Sequence, residues 1–120
     1  MFVVIGGGPA GRLGAMRLAQ AGKAHRTEQR KIGGQCLHDR CMTVCALNDV
    51  ARLLEYAQTQ KDLGILDSVP TLSYPMLKRR MSEIQEKLSS VLEAETRRAG
   101  VEIVYGAEAR LEGDRVFIDD

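Results

Sequence analysis

The sequence predicts an α/β fold: a partial doubly wound sheet, a long helix pair and a C-terminal β-hairpin. Three observations lead there. A short apolar run, Phe2-Val3-Val4-Ile5, breaks into a glycine-rich turn that opens a helix. Two long stretches of three-and-four apolar spacing fill the middle of the chain. The last residues alternate around Glu112-Gly113-Asp114, as hairpin strands do around their turn.

Taken in order, Phe2 to Ile5 is a short strand. Gly6-Gly7-Gly8-Pro9-Ala10-Gly11 turns into a helix from about Arg12 to Ala21, which Gly22 stops. Lys23 to Glu28 is a second strand, weakly encoded because it holds no large aliphatic side chain. Gln29 to Arg40 reads as a polar loop. From about Cys41 to Leu63 the pattern is helical, with Leu47, Val50, Leu54 and Ala57 on one side and Gly64 as C-cap.

After a loop around Pro70, Ser73 caps a long helix whose first turn tolerates Pro75. Leu77, Met81, Ile84, Leu88, Val91 and Leu92 form a stripe that should pack inside the molecule. Glu83/Lys87 and Glu93/Arg97 are at supporting i,i+4 spacing. Gly100 ends this helix, Val101 to Tyr105 is a strand, and Ala107–Leu111 and Arg115–Ile118 form the hairpin.

The chain has 120 residues, 44% hydrophobic and 28% charged, with a formal net charge of +1. That length predicts one domain, and that composition an ordinary globular one. The small net charge gives no reason to expect nucleic acid or an anionic membrane as partner. Arg79-Arg80 and Arg97-Arg98 read as solvated helix faces. No stretch approaches the roughly 18 apolar residues of a membrane span, and the first residues show no secretory pattern. The expected location is the cytoplasm, where the three cysteines are reactive, ligating or inert rather than structural staples.

Gly6, Gly8 and Gly11 fit the dinucleotide-binding fingerprint of Rossmann-like folds. The first glycine allows the tight turn, the second lets backbone approach a pyrophosphate, and the third lets helix and strand pack closely. The helix N-terminus offers free N–H groups to the phosphates. Glu28 stands about 20 residues on, where an acid holds a ribose.

The second motif is Gly33-Gly34-Gln35-Cys36-Leu37-His38-Asp39-Arg40-Cys41. With the fingerprint before it, the sequence resembles the flavoprotein pyridine nucleotide-disulfide oxidoreductases: dihydrolipoamide dehydrogenase, glutathione reductase and mercuric reductase. Their signature is Gly-Gly-x-Cys-Leu with a second cysteine five residues after the first. The resemblance runs over essentially the whole chain. It implies FAD as cofactor, held by Gly6, Gly8, Pro9, Ala10, Gly11, Glu28, Gly33, Gly34 and Gln35. It also implies a redox-active Cys36–Cys41 disulfide, with Cys36 meeting a small disulfide or dithiol substrate and Cys41 facing the flavin. NAD(P)H and a homodimer are implied for a full-length parent. Residues 1–120 would be the N-terminal part of an FAD-binding domain, the NAD(P)H and dimerisation domains being absent.

The spacing carries a geometric demand. In one regular helix, residues five apart have Cα atoms roughly 8–9 Å apart, whereas a disulfide needs about 4.4–6.8 Å. Cys36 must therefore sit in a loop or distorted turn before the helix that Cys41 begins. There the helix dipole and Arg40 would favour a Cys41 thiolate. Cys36, Cys41, Cys45 and His38 match no common zinc spacing, so no metal is expected.

Some positions depart from the family. Met42-Thr43-Val44-Cys45 stands where Ile-Pro-Ser-Lys is usual, so Cys45 replaces a lysine, and Arg40 replaces a glycine. The second strand is short and polar. The family's catalytic histidine belongs to the later domain, so His25 and His38 are read as exposed loop residues. Two other readings remain at this stage: a non-catalytic nucleotide-binding module, and a truncated gene product without activity.

Overall fold

The computed structural model describes residues 2–22, 25–29, 31–106 and 108–119. The element order is β1 (Phe2–Ile5), α1 (Pro9–Gln20), β2 (His25–Gln29), α2 (Gly34–His38), α3 (Cys41–Asp62), α4 (Tyr74–Arg98), β3 (Glu102–Tyr105), β4 (Glu108–Glu112) and β5 (Arg115–Asp119). Helices and strands therefore mix as expected for an α/β chain.

β1, β2 and β3 form a parallel sheet with β2 in the middle. Ile5 lies opposite Glu28, and Glu28 opposite Val104. Parallel strands that follow one another in one direction, joined by right-handed crossovers, leave their helices on a single face. The core agrees: Ala15, Ile32, Val101 and Ile103 are buried together, with Val4, Met16, Ala19 and Leu92 packed on them. α1 and the C-terminal half of α4 thus share one side of the sheet. β4 and β5 make a separate antiparallel pair, with Glu112 opposite Arg115 across the turn.

α3 and α4 form the long helix pair, and the molecule is elongated, 67 × 26 × 21 Å. α4 returns so that Met81, Ile84 and Gln85 lie across a small gap from Met42 and Ala46 of α3. The stripe expected on α4 is only partly covered. Leu77, Met81, Leu88 and Leu92 are half-buried, Ile84 and Val91 are exposed, and the one buried residue of this helix is Thr96. Its hydroxyl donates to Leu92 O at 2.6 Å, which lets a polar residue sit in the core without an unpaired group. Around the far turn of the pair, Leu63, Ile65, Leu66, Leu72, Tyr74 and Met76 are all exposed.

Three further expectations change. The segment Gln29 to Arg40 contains α2, so it is not simply a loop. His38 lies on that helix, half-buried, and His25 opens β2, so neither is a loop residue. Glu83 bonds back to Arg79 at 3.1 Å and Arg80 at 2.9 Å rather than forward to Lys87, whereas Glu93–Arg97 forms as expected at 2.8 Å.

Glu93 also ties α4 to β3. Arg97 first, then a hydrogen bond from Tyr105, hold its carboxyl below the usual range. Burial, then the bond to Glu93, push the Tyr105 hydroxyl up to about 12. The folded state thus favours neutral Tyr105. Its contribution is complete below the ordinary tyrosine value of about 10 and is lost as pH climbs toward 12. Tyr105→Phe should therefore show a shallower alkaline fall in Tm than the native chain. Parallel curves from pH 8 to 11 would contradict this.

Candidate functional site

The turn after β1 is built from glycines for steric reasons. Gly6 has φ +106°, which L side chains rarely adopt. A Cβ on Gly11 would overlap the Gly6 carbonyl oxygen and press on Val4, so only glycine lets α1 start this close to β1. Gly8 is different. Its φ is −70° and a Cβ there would meet nothing within 4 Å. Its position opens on free space, the side from which a ligand backbone can approach.

The cysteine segment docks on this turn. Gly33 N–H donates to Gly7 O at 2.9 Å. A Cβ on Gly34 would stand 2.7 Å from Gly8 Cα, inside contact distance. The two glycine motifs, separate in sequence, are therefore one piece of backbone in space.

Between them lies a cleft of about 760 Å³. Gly6, Gly8, Pro9, Gly34, Gln35 and Cys36 line it, as do Gly7, Lys31, His38 and Asp39. Ala10, Gly11 and Gly33 are not among its lining residues. Glu28 lies on β2, one residue before its end, and its side chain is outside the described residues. Lys31 is a wall residue that the motifs did not flag; its cation two residues before the Gly33-Gly34 pair was the available signal.

The cleft suits a dinucleotide diphosphate. α1 begins at Pro9 with no side-chain cap and no acid in its first turn, which leaves its first N–H groups available. Among the described residues, no group of three or more His, Cys, Asp or Glu side chains is placed to hold a metal ion.

Cys36 sits half-buried in α2, and Cys41 is the first residue of α3. Asp39 and Arg40 break the helix between them, so Cys36 stands on a short helix of its own rather than in the loop or distorted turn expected. Cys45 follows one turn into α3. All three are free thiols here, with Cys41 and Cys45 exposed. A hydrogen bond with the Cys41 side chain, then burial, then the charges of Cys41 and Cys45, push the Cys36 thiol up. Cys36 and Cys41 are thus side by side.

Cys36 also lines an apolar pocket of about 260 Å³, together with Pro9 and Gly33. Leu13, Leu37, Met42 and Leu92 supply its apolar wall and Arg12 its cation. Arg12 is fixed by Glu95 at 3.2 Å. Cys36 therefore borders a polar cleft and an apolar pocket at once.

No model of a known protein family matches the chain. Individual proteins do. The chain is 33% identical over 106 residues, 87% of its length, to an uncharacterised protein of Methanocaldococcus jannaschii. It is 28% identical over 116 residues to a dihydrolipoyl dehydrogenase of Bacillus subtilis, and 31% identical over 105 residues to one of Staphylococcus aureus. It covers 26, 24 and 22% of those three proteins.

Two solved structures share the fold. LpdA from Mycobacterium tuberculosis superposes with TM-score 0.72 over 93% of this chain at 23% identity. The flavoprotein disulfide reductase RclA from Escherichia coli superposes with TM-score 0.71 over 98% at 18% identity. The chain covers 25% and 24% of those structures.

The site is thus a glycine-lined cleft with a cysteine pair at its rim. Two of these relatives are dihydrolipoyl dehydrogenases and one of the structures is a flavoprotein disulfide reductase, and the chain belongs to the flavoprotein pyridine nucleotide-disulfide oxidoreductase family. It spans about a quarter of the length of the curated relatives it matches.

Two outcomes follow from the site. Gly8→Ala should leave Tm within about 1 °C, because its Cβ meets nothing, yet weaken FAD or ADP binding about tenfold, 1.4 kcal/mol. Gly11→Ala should cost about 1–3 kcal/mol of stability by overpacking. Thermal melts and flavin fluorescence titration check both, and equal destabilisation by the two would sink the distinction.

The pH profile of Cys36 alkylation, followed by peptide mass spectrometry, should have its midpoint above the ordinary thiol range. In Cys41→Ala that midpoint should fall, because the largest cause of the shift is gone.

Proposed function

We propose that this chain is the N-terminal part of a doubly wound FAD-binding domain from an FAD-dependent NAD(P)H:disulfide oxidoreductase of the dihydrolipoamide dehydrogenase kind. Its Cys36–Cys41 pair would be the redox-active disulfide. The observation that carries this reading is the bond from Gly33 N–H to Gly7 O, which puts the cysteine segment on the rim of the dinucleotide cleft. The cytoplasm, a small disulfide or dithiol substrate and a homodimeric parent complete the proposal.

Gly6, Gly8 and the first turn of α1 would take the FAD pyrophosphate, with Lys31 beside it and Glu28 toward the ribose. When bound, the flavin supplies two-electron exchange between NAD(P)H and the cysteine pair. The protein's own part is thiol–disulfide chemistry. Deprotonated Cys36 attacks one sulfur of the substrate disulfide. A mixed disulfide forms and one substrate thiolate leaves. Cys41 then attacks Cys36 Sγ, which releases the second substrate thiolate and closes the Cys36–Cys41 bond. The cysteine pair loses two electrons and the substrate gains them. The apolar pocket lined by Cys36 offers room for the substrate's apolar arm, and Arg12 for an anionic group.

Cys36 cannot start this cycle while its proton is held. The bond with Cys41 raises the Cys36 thiol, so exchange should accelerate with rising pH. The sign follows from the chemistry: only the thiolate attacks.

Mass spectrometry of the air-oxidised chain should find Cys36 linked to Cys41, with Cys45 alone free. Thiol titration before and after mild reduction should show two thiols appearing together. Both cysteines free after oxidation, or Cys45 taking the place of either one, would refute the assignment. Cys36→Ser in the full-length parent should abolish disulfide reduction.

A further inference from the structure

α2 is only five residues long, yet it carries Cys36 and fixes where that thiol stands. A helix this short leaves most of its backbone groups without intrahelical partners. The amide of Gln85 on α4 answers this. Its Nε2 donates to Leu37 O at 3.1 Å and to His38 O at 3.0 Å, one bond from each of its hydrogens. Thr43 Oγ1, on the first turn of α3, donates to the same His38 carbonyl at 3.4 Å. The His38 ring adds a further tie, its Nε2–H reaching Ile32 O at 2.9 Å with Ser89 Oγ of α4 at 3.4 Å.

Gln85 is out of character for its position. It lies between Met81 and Leu88 on the half-buried stripe of α4, where an amide costs free energy unless its hydrogens are used. Here both are used, and both on the end of the turn that separates the two cysteines.

We propose that Gln85 is a positioning residue for the cysteine pair: by holding the Leu37 and His38 carbonyls it keeps the Cys36 turn within bonding reach of Cys41 at the head of α3. This rests on the redox reading of the pair given above. Two thiols held in reach have a high effective concentration for each other. Loosening the turn lowers it, so the disulfide becomes easier to reduce.

The test is the equilibrium between the Cys36–Cys41 disulfide and dithiothreitol in the full chain, quenched by alkylation and read by mass spectrometry. Gln85→Met keeps the length and removes the donors without adding charge. It should lower the equilibrium constant for disulfide formation about tenfold, which is about 30 mV toward a more oxidising pair. Thr43→Val should shift it the same way by less. Gln58→Met removes an exposed amide bonded to Asp62 near the other end of α3 and should leave it unchanged.

A merely structural Gln85 would lower Tm and leave the constant alone, and that result overturns the inference. An equal shift in Gln58→Met overturns it too. Should Gln85→Met fail to fold, an unmoved constant in Thr43→Val does the same. If the native chain forms no Cys36–Cys41 bond at any redox ratio, the redox reading itself falls.

Discussion

The site depends on one contact between two glycine motifs. Gly33 gives its N–H to Gly7 O, and Gly34 rests on Gly8 with no room for a side chain. Without that contact, β1 and α1 would still form a phosphate-sized turn. The cysteines, however, would have no fixed relation to it. Four residues with almost no side chain set the distance between the glycine-lined cleft and a thiol pair. Side chains could not do this, because any Cβ at Gly34 would push the segments apart.

From that contact outward, support is shared among elements that are distant in sequence. α1 packs close to β1 only because Gly11 is bare. α2 is held by α4 through Gln85 and by α3 through Thr43. α4 reaches further, to β3 through Glu93 and Tyr105, and to α1 through Glu95 and Arg12. One helix of 25 residues thus bears on the cysteine turn, the apolar pocket and the sheet.

Much of this was legible in the sequence, for physical reasons. Long helices with marked ends announce themselves: α3 and α4 begin and end within a residue or two of the reading, with Gly64 and Gly100 just past their ends and Pro75 in the first turn of α4, although Ser73 stands at the N-cap position without making the expected side-chain bond. The hairpin was equally plain. α2 was not, since five residues are too few to show a period and its last two carbonyls are bonded by Gln85 from another helix. Nor was the contact between the glycine motifs, which has no side chains to pattern. The α4 stripe misled in part. Periodicity shows which residues share a face, but not whether anything covers it, and Ile84 and Val91 remain open. Glu83 chose Arg79 and Arg80 over Lys87 because exposed ion pairs differ by little energy and several geometries compete.

The sheet order has a consequence for how the chain acquires its shape. β2 is the central strand, but its second neighbour, β3, arrives only after α2, α3 and α4 have been made. Synthesis proceeds at roughly 5–20 residues per second, so one edge of β2 waits several seconds for its partner. Loop closure over so long a connection adds little to the equilibrium cost, but much to the delay. During that interval the strand is protected by its own composition. His25-Arg26-Thr27-Glu28-Gln29 is polar and charged throughout, a poor template for pairing with another nascent chain. The feature that made β2 hard to recognise as a strand is what would make it safe to leave unpaired while the ribosome finishes the rest.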